Sequence, residues 1–234
     1  MALLAFDTCF GAVSVALRTR AANGDALIRE SYETRRTGHA ERLMPMIAEV
    51  MAGAGLAFDR IERFAVTIGP GTFTGVRVGV AAARAFALAA SRPVVAVSSL
   101  EVIAARGRHL LGPAVASRPL LVAVDARRSA LYCALHLPHD GLGGNGAPML
   151  LTAEAAATLA HEHDALVIGS GGPLVAEAAA ALGRLVDADL PDIEPHARFL
   201  ALLAADRAPA GSLAPLYLRA PDVKPQPDPI ARRT

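Results

Sequence analysis

Several residue types are scarce in this chain of 234 residues, and each scarcity excludes a class of protein. The two cysteines, Cys9 and Cys133, lie in apolar stretches without metal-ligand spacing, which argues against a disulfide framework and fits a reducing compartment. No uncharged apolar run reaches the ~18–20 residues of a membrane helix. The short apolar start, which ends at Asp7, lacks the basic residues of a signal peptide. We therefore expect a cytoplasmic protein with no membrane partner.

Charge is nearly balanced, because the chain contains 23 Lys and Arg residues and 22 Asp and Glu residues, which gives a formal net charge of +1. That balance argues against tight RNA binding by this chain alone, although it leaves room for local arginine patches. Lysine occurs once, as Lys224, in a proline-rich stretch. A Walker A phosphate loop needs a lysine directly after its glycines, so this class of nucleotide site is excluded.

The most informative stretch is Gly-Pro-Gly-Thr-Phe-Thr-Gly-Val-Arg at 69–77, which joins an apolar strand predicted at 64–68 to an alanine-rich helix predicted at 75–90. A strand–glycine loop–helix unit directs backbone N–H groups and a helix N-terminus at one point, which suits an anion. The dinucleotide motif G-x-G-x-x-G is excluded, because Thr74 takes its third glycine position. The candidate anion site comprises Gly69, Gly71, Thr72, Thr74 and Gly75. The alternative is a tight turn before a buried helix.

Two stretches share one pattern, which predicts a duplicated α/β fold. Residues 3–33 predict three antiparallel strands, the first ending at Asp7, and Asn23-Gly24 marks a hairpin. At 120–137 a strand again ends in an aspartate, Asp125, and the chain returns. This pattern is similar to the start of the actin/Hsp70/sugar-kinase fold, in which the first hairpin grips a nucleotide phosphate.

The similarity makes four residues weak nucleotide candidates: Asp7, Asp125, Gly169 and Gly171. Each has a purely structural alternative, since an aspartate at a strand end forms turns and glycines at a strand–helix junction form tight turns. The turn after Asp125 holds two arginines and a serine where a phosphate cradle of backbone amides would need glycines.

A helix is predicted at 38–54, with apolar residues at i, i+3, i+4 and i+7 on one face. These residues are Leu43, Met46, Ile47 and Val50. Three of the five methionines of the chain lie in this helix, and methionine is frequent at surfaces that bind partners. Core packing alone is the alternative explanation of the stripe.

The segments at 38–47, 69–77, 125–132 and 213–219 closely resemble the TsaB (YeaZ) family of bacterial partner subunits in tRNA threonylcarbamoyladenosine synthesis. The resemblance implies an α/β protein with the two-lobed actin/Hsp70/sugar-kinase (ASKHA, RNase H-like) fold and a duplicated lobe. The expected divisions are an N-terminal lobe at 1–106, a C-terminal lobe at 107–193, a closing helix and strand-like segment at 194–220 and a flexible tail at 221–234.

The family also implies a function. The chain would be a non-catalytic subunit that pairs with a TsaD-like catalytic paralogue and activates it for threonylcarbamoyl transfer to adenosine 37 of tRNAs reading ANN codons. A TsaE-like ATPase and tRNA would join only through that complex, and the chain alone would form a homodimer. The pairing surface would lie on the helices at 38–54 and 75–90. Its expected residues are His39, Leu43, Met44, Met46, Ile47, Val50, Met51, Arg77, Val80, Ala83 and Arg84.

A metal site is not expected. The TsaD family carries an N-H-x-x-x-H metal motif after its glycine loop and helix, whereas this chain has Ser99 and Ile103 at the two histidine positions. His39 is expected at a helix start. The remaining histidines considered, all expected at the surface, are His136, His139, His161 and His163. We therefore expect no cofactor, and ATP bound at most weakly.

The alternative function is an enzyme, either a weak actin-like ATPase or nucleotide-binding protein, or a metallopeptidase of the glycoprotease type. The ATPase hypothesis keeps the two aspartates and two glycine loops in the right order. It lacks a lysine, a glycine-rich second phosphate turn and an obvious catalytic base. The peptidase hypothesis lacks its metal ligands.

Overall fold

The computed structural model describes residues 1–21, 24–138 and 146–219. The tail predicted at 221–234, together with Asn23 and His139, lies outside these residues. Short 3₁₀ turns occur at Phe58–Arg60 and Gly112–Val115.

The first sheet contains five strands in the order β3-β2-β1-β4-β5. Their bounds are β1 Leu3–Asp7, β2 Ala12–Arg20, β3 Ala26–Thr34, β4 Arg63–Thr67 and β5 Val94–Val97. β1, β2 and β3 pair antiparallel, whereas β4 runs parallel to β1 and β5 parallel to β4. Parallel neighbours need crossover helices, and α1 His39–Gly53 precedes β4 while α2 Phe73–Ala90 joins β4 to β5.

The second sheet repeats this arrangement in the order β10-β9-β6-β7-β8. Its strands are β6 Leu120–Asp125, β7 Leu131–His136, β8 Met149–Leu151, β9 Leu166–Ile168 and β10 Ala188–Asp189. The crossover helices are α4 Ala153–Glu162 and α5 Gly172–Ala181. Each sheet is followed by one more helix, α3 Ser99–Leu111 or α6 Ala197–Leu203. The predicted two-lobed ASKHA-type α/β fold is confirmed.

Apolar contacts arrange the two sheets in layers. α1 and α2 cover the outer face of the first sheet, and α4 and α5 cover the outer face of the second. α3 lies between the sheets, because Val102 and Ala105 pack on the first sheet with α6, while Leu100 and Ile103 pack against β6 of the second. In the described part of the chain, the exposed residues of α1 and α2 belong to none of these apolar clusters.

Most predicted elements lie within two residues of their observed bounds, and the exceptions have local causes. β8 and β10 were not predicted, because strands of three and two residues are too short to show a period. The closing helix, expected from residue 194, begins only at Ala197, where the His196 side chain accepts a hydrogen bond from the Arg198 N–H. The strand-like segment at 213–219 forms no strand, although the Leu216 N–H donates to Ile68 O at 2.7 Å.

Of the described helices, α2 alone has the length and mean hydropathy, 1.3, of a membrane span. These criteria are weak evidence, since a core helix also meets them. Val76, Val80 and Ala83 are buried against the protein's own core, and Arg77 and Arg84 lie on the exposed side.

Candidate functional site

The glycine loop packs backbone against backbone on the first hairpin. A Cβ added at Gly71 would lie 2.5 Å from Cys9 O, and one at Gly75 would lie 2.0 Å from Thr8 O. At Gly79, inside α2, it would lie 2.8 Å from the Thr8 hydroxyl oxygen. Real Cβ contacts are not this short, so only glycine allows α2 to approach the hairpin. Packing therefore explains these glycines without a ligand.

Three N–H groups of the loop and of the helix start donate to other atoms of the chain. Thr72 N–H donates to Cys9 O at 2.7 Å, Gly75 N–H to the Thr72 hydroxyl at 3.2 Å, and Val76 N–H to Thr72 O. Gly69, with φ of 108°, lies against the carbonyl of Leu216, which would be 2.7 Å from an added Cβ. The geometry supports the tight-turn alternative, and an anion role for this loop, including the exposed Thr74, stays a prediction.

Asp7 is the last residue of β1, and its side chain is fully buried. Its Oδ1 accepts hydrogen bonds from the Cys9 N–H, at 3.3 Å, and from the Thr67 hydroxyl. Its Oδ2 meets no donor from the described part of the chain. Burial raises the pKa of Asp7 to about 6, although these hydrogen bonds oppose the rise. The carboxyl thus acts as the predicted strand-end turn former, and its nucleotide role stays untested.

Glu194 contacts the same hairpin, although it follows Gly11 by 183 residues in the sequence. Its Oε2 accepts a hydrogen bond from the Gly11 N–H at 3.1 Å, and its carbonyl accepts one from Arg106 at 2.9 Å. Burial raises its pKa to about 7, and the charge of Asp7 adds to the rise, whereas the Gly11 N–H and Arg106 oppose it. Sequence reasoning placed Glu194 in a helix. No local pattern reveals a contact across 183 residues.

The nucleotide candidates of the second lobe also have structural roles. Asp125 is exposed, and its Oδ1 accepts the Arg127 N–H at 2.7 Å. Gly169, with φ of 105°, lies on the backbone of β6, where a Cβ would be 2.4 Å from Ala123 O. Gly171 N–H donates to that same carbonyl at 2.9 Å. These contacts form turns, and nucleotide binding by these residues stays a prediction.

Most residues expected at the pairing surface belong to the protein's own core, which corrects the prediction. These residues are His39, Leu43, Met46, Ile47, Val50, Met51, Val80 and Ala83, each at most 8% exposed. The apolar stripe of α1 faces β2 and β3, and His39 Nε2 lies 2.8 Å from Phe10 O, in hydrogen-bond contact. Met44, Arg77 and Arg84 remain exposed, so for these three the pairing role stays a prediction.

The exposed surface of α1 and α2, here called the outer helix face, carries a different set of residues. Met44 is 52% exposed on α1, and Leu88 is 84% exposed on α2. Its small exposed residues are Ala48, Ala52, Ala81 and Ala85. Short side chains allow a further helix to approach closely, because interaxial distance depends on the side chains at the contact.

Among the described residues, no three His, Cys, Asp or Glu side chains come together as a metal site. Ser99 is buried and its hydroxyl donates to Pro70 O, while Ile103 packs in the core between the lobes. His136 is fully buried at the end of β7, so its predicted surface position is wrong. His161 and His163 are exposed as predicted.

Comparison with known proteins gives one consistent relationship. A family model described as "TsaD: tRNA N6-adenosine threonylcarbamoyltransferase" matches residues 33–145. The chain is 34% identical to Bacillus subtilis TsaB, a tRNA threonylcarbamoyladenosine biosynthesis protein, over 61% of this chain and 58% of that one. It therefore spans little more than half the length of the curated TsaB relatives it matches.

Two other similarities extend over nearly the whole chain. An uncharacterised Mycobacterium tuberculosis protein (strain H37Rv) is 34% identical over 95% of this chain and 94% of its own. The solved structure of YeaZ from Pseudomonas aeruginosa is 32% identical and superposes with a TM-score of 0.73, over 93% of this chain and 99% of that one.

Proposed function

Because this chain belongs to the TsaB (YeaZ) family, we propose that it acts in tRNA threonylcarbamoyladenosine biosynthesis as a non-catalytic subunit. It pairs with a TsaD-like catalytic paralogue in the cytoplasm and activates it for threonylcarbamoyl transfer to adenosine 37 of tRNAs reading ANN codons. A TsaE-like ATPase and the tRNA join through this complex, and the chain itself carries no metal or resident nucleotide.

The roles of Asp7, Glu194 and Asp125 support a non-catalytic assignment. Asp7 bonds to Cys9 and Thr67, Glu194 bonds to Gly11, and Asp125 bonds to the backbone of its own turn. A phosphoryl-transfer site needs groups that hold the metal and the phosphates and orient the nucleophile. Here one oxygen of each carboxylate accepts hydrogen bonds that hold the chain's own turns together.

The outer helix face is the observation that carries the pairing. Met44 and Leu88 are large apolar side chains on neighbouring helices, and both are more than half exposed. The TsaD family model matches residues 33–145 of this chain, so a TsaD-like paralogue would share this part of the fold, and its equivalent helices would form a bundle with α1 and α2. Without the paralogue, the same face can meet a second copy of itself, and we propose this isologous homodimer for the chain alone.

The test is co-purification with the TsaD-like paralogue, comparing wild type with Leu88→Glu. We expect the variant to lose at least about tenfold in retained paralogue, because a charge would be buried without a partner. Leu185→Glu is the matched control, since Leu185 is 92% exposed in the second lobe and should be neutral. Equal effects of the two substitutions would reject this face as the pairing surface.

A second readout tests the enzyme alternative. ATP hydrolysis by the isolated chain should stay at background and should not respond to Asp7→Asn. If wild type forms no complex, while it hydrolyses ATP in a manner that Asp7→Asn abolishes, the subunit proposal is wrong and the chain is an ATPase.

A further inference from the structure

Exposed aromatic and arginine side chains meet on the surface where the closing segment at 213–219 crosses from the first lobe to the second. Tyr217 stacks on Phe73 with ring centroids 5.5 Å apart, and the Arg77 guanidinium lies 4.4 Å from the Phe73 centroid. Phe73 and Tyr217 are each 40% exposed. Such exposure is notable in a chain with only 4% aromatic residues.

The same segment continues to the second lobe. Arg219 Nη1 lies 3.3 Å from Ala126 O, to which it donates, and so reaches the turn between β6 and β7. Arg127 and Arg128 are exposed at that turn. We name these side chains together the arginine–aromatic patch: Phe73, Arg77, Arg127, Arg128, Tyr217 and Arg219.

The patch is far more basic than the whole chain. The contacting segments at 70–84, 125–130 and 213–219 contain five arginines and one acid, Asp125. The Asp125 carboxylate accepts the backbone N–H of Arg127. The chain as a whole is almost neutral, with a formal net charge of +1. The local field therefore favours an anionic partner.

The combination of side chains specifies the partner further. Aromatic rings and guanidinium planes stack on nucleic-acid bases, and arginines bind phosphates with paired donors. The arginines at the turn are exposed on the surface, whereas sites for small ligands bury most of the ligand. An open surface suits a polymer that makes several weak contacts at once.

We propose that the arginine–aromatic patch binds RNA, with a base stacked on Tyr217 and phosphates held at the turn of Arg127 and Arg128. The identity of that RNA as tRNA rests on the proposed function. The patch is separate from Met44 and Leu88 of the outer helix face, although Arg77 belongs to the same helix as Leu88. The complex would thus present an RNA contact beside the pairing surface.

The test measures binding of an unmodified tRNA transcript to the full chain, alone and with the paralogue, as a function of salt. Arg127→Glu with Arg128→Glu should weaken binding at least about tenfold and reduce the slope of log affinity against log salt by about one to two. Tyr217→Ala should weaken binding about fivefold or more and leave that slope unchanged. Arg36→Glu with Arg60→Glu changes the net charge equally at exposed sites elsewhere, and should cost less than about threefold.

The outcomes separate this inference from the proposed function. If the variant with Arg127→Glu and Arg128→Glu still binds the paralogue but no longer binds tRNA, the patch is supported as an RNA site. The inference is overturned if the turn variant and the control variant with Arg36→Glu and Arg60→Glu lower tRNA affinity equally. It is also overturned if wild type binds no tRNA either alone or in the complex. It is also overturned if the turn variant binds tRNA normally and loses only its binding of AMP or ATP, because the patch is then a mononucleotide site. Loss of paralogue binding alone overturns it too, because the patch is then a protein site. Failure of wild type to bind the paralogue refutes the proposed function alone.

Discussion

Single glycines in the 69–79 region act as contact points between backbones. Gly71 and Gly75 lie on the carbonyl oxygens of Cys9 and Thr8, and Gly79 lies on the Thr8 hydroxyl. A loop of this composition resembles a phosphate cradle in sequence, because close approach to a ligand and close approach to another strand both need the missing Cβ. Only the position of the first hairpin distinguishes the two explanations.

Substitution of Gly75 by alanine should therefore destabilise the fold. The new Cβ would lie 2.0 Å from a backbone oxygen, which cannot move aside as a side chain could. We expect a loss of about 3 kcal/mol or more in the free energy of unfolding, measured by urea denaturation. Gly211→Ala is the control, because no atom lies within 4 Å of its added Cβ. Equal stabilities of the two variants would contradict the packing explanation.

At the scale of an element, α1 shows how far periodicity can be used. The stripe of Leu43, Met46, Ile47 and Val50 was predicted correctly as one face of a helix. Its burial against β2 and β3 could not be predicted, because a helical period shows that a face is buried and does not show what covers it. Methionine enrichment was the misleading signal, since Met46 is a core residue and Met44, two positions earlier, is the exposed one.

These two methionines give a matched pair within one helix. Met46→Glu should lower the free energy of unfolding by about 3–5 kcal/mol, because it buries a carboxylate at a fully enclosed position. Met44→Glu should change it by less than about 0.5 kcal/mol, since Met44 is 52% exposed. Urea denaturation of both variants makes the comparison. A stable Met46→Glu protein would show that α1 does not pack as described.

In the whole molecule, the two lobes are joined by contacts between residues remote in sequence. α3 packs on both sheets, the closing segment bonds to Ile68, and Glu194 bonds to Gly11. The Glu194 carboxyl lies near the charges of Asp7, Asp192 and Arg106. The strength of its contact with the first hairpin therefore depends on whether it is protonated.

Stability should fall as this carboxyl ionises. The pKa of Glu194 is raised from 4.5 to about 7 in the folded protein, so the folded state holds the proton more tightly than the unfolded state. That stabilisation is complete below about pH 4.5 and is lost as the pH rises through about 7. Glu194→Gln cannot ionise, so between pH 5 and pH 8 it should gain about 1–2 kcal/mol relative to wild type, a figure reduced for partial exposure.

The measurement is urea denaturation of both proteins across that pH range. Asp7, whose pKa is raised to about 6, titrates in both proteins, so its contribution to the free energy of unfolding largely cancels when the two are compared. Glu177→Gln, at an exposed position on α5, should show no such trend. A pH-independent difference between wild type and Glu194→Gln would mean that this carboxyl is not buried against the first hairpin.

The sequence by itself determined the family, the duplicated order of strands and the faces of the helices. Those properties depend on contiguous motifs, on periods of two and 3.6 residues and on turn-forming residues, all of which act over short distances along the chain. The tertiary structure alone decided which glycines touch backbone, which methionine is exposed, and that Glu194 meets Gly11. Such contacts join residues up to 183 positions apart, and they exist only once the two sheets and α3 are packed together.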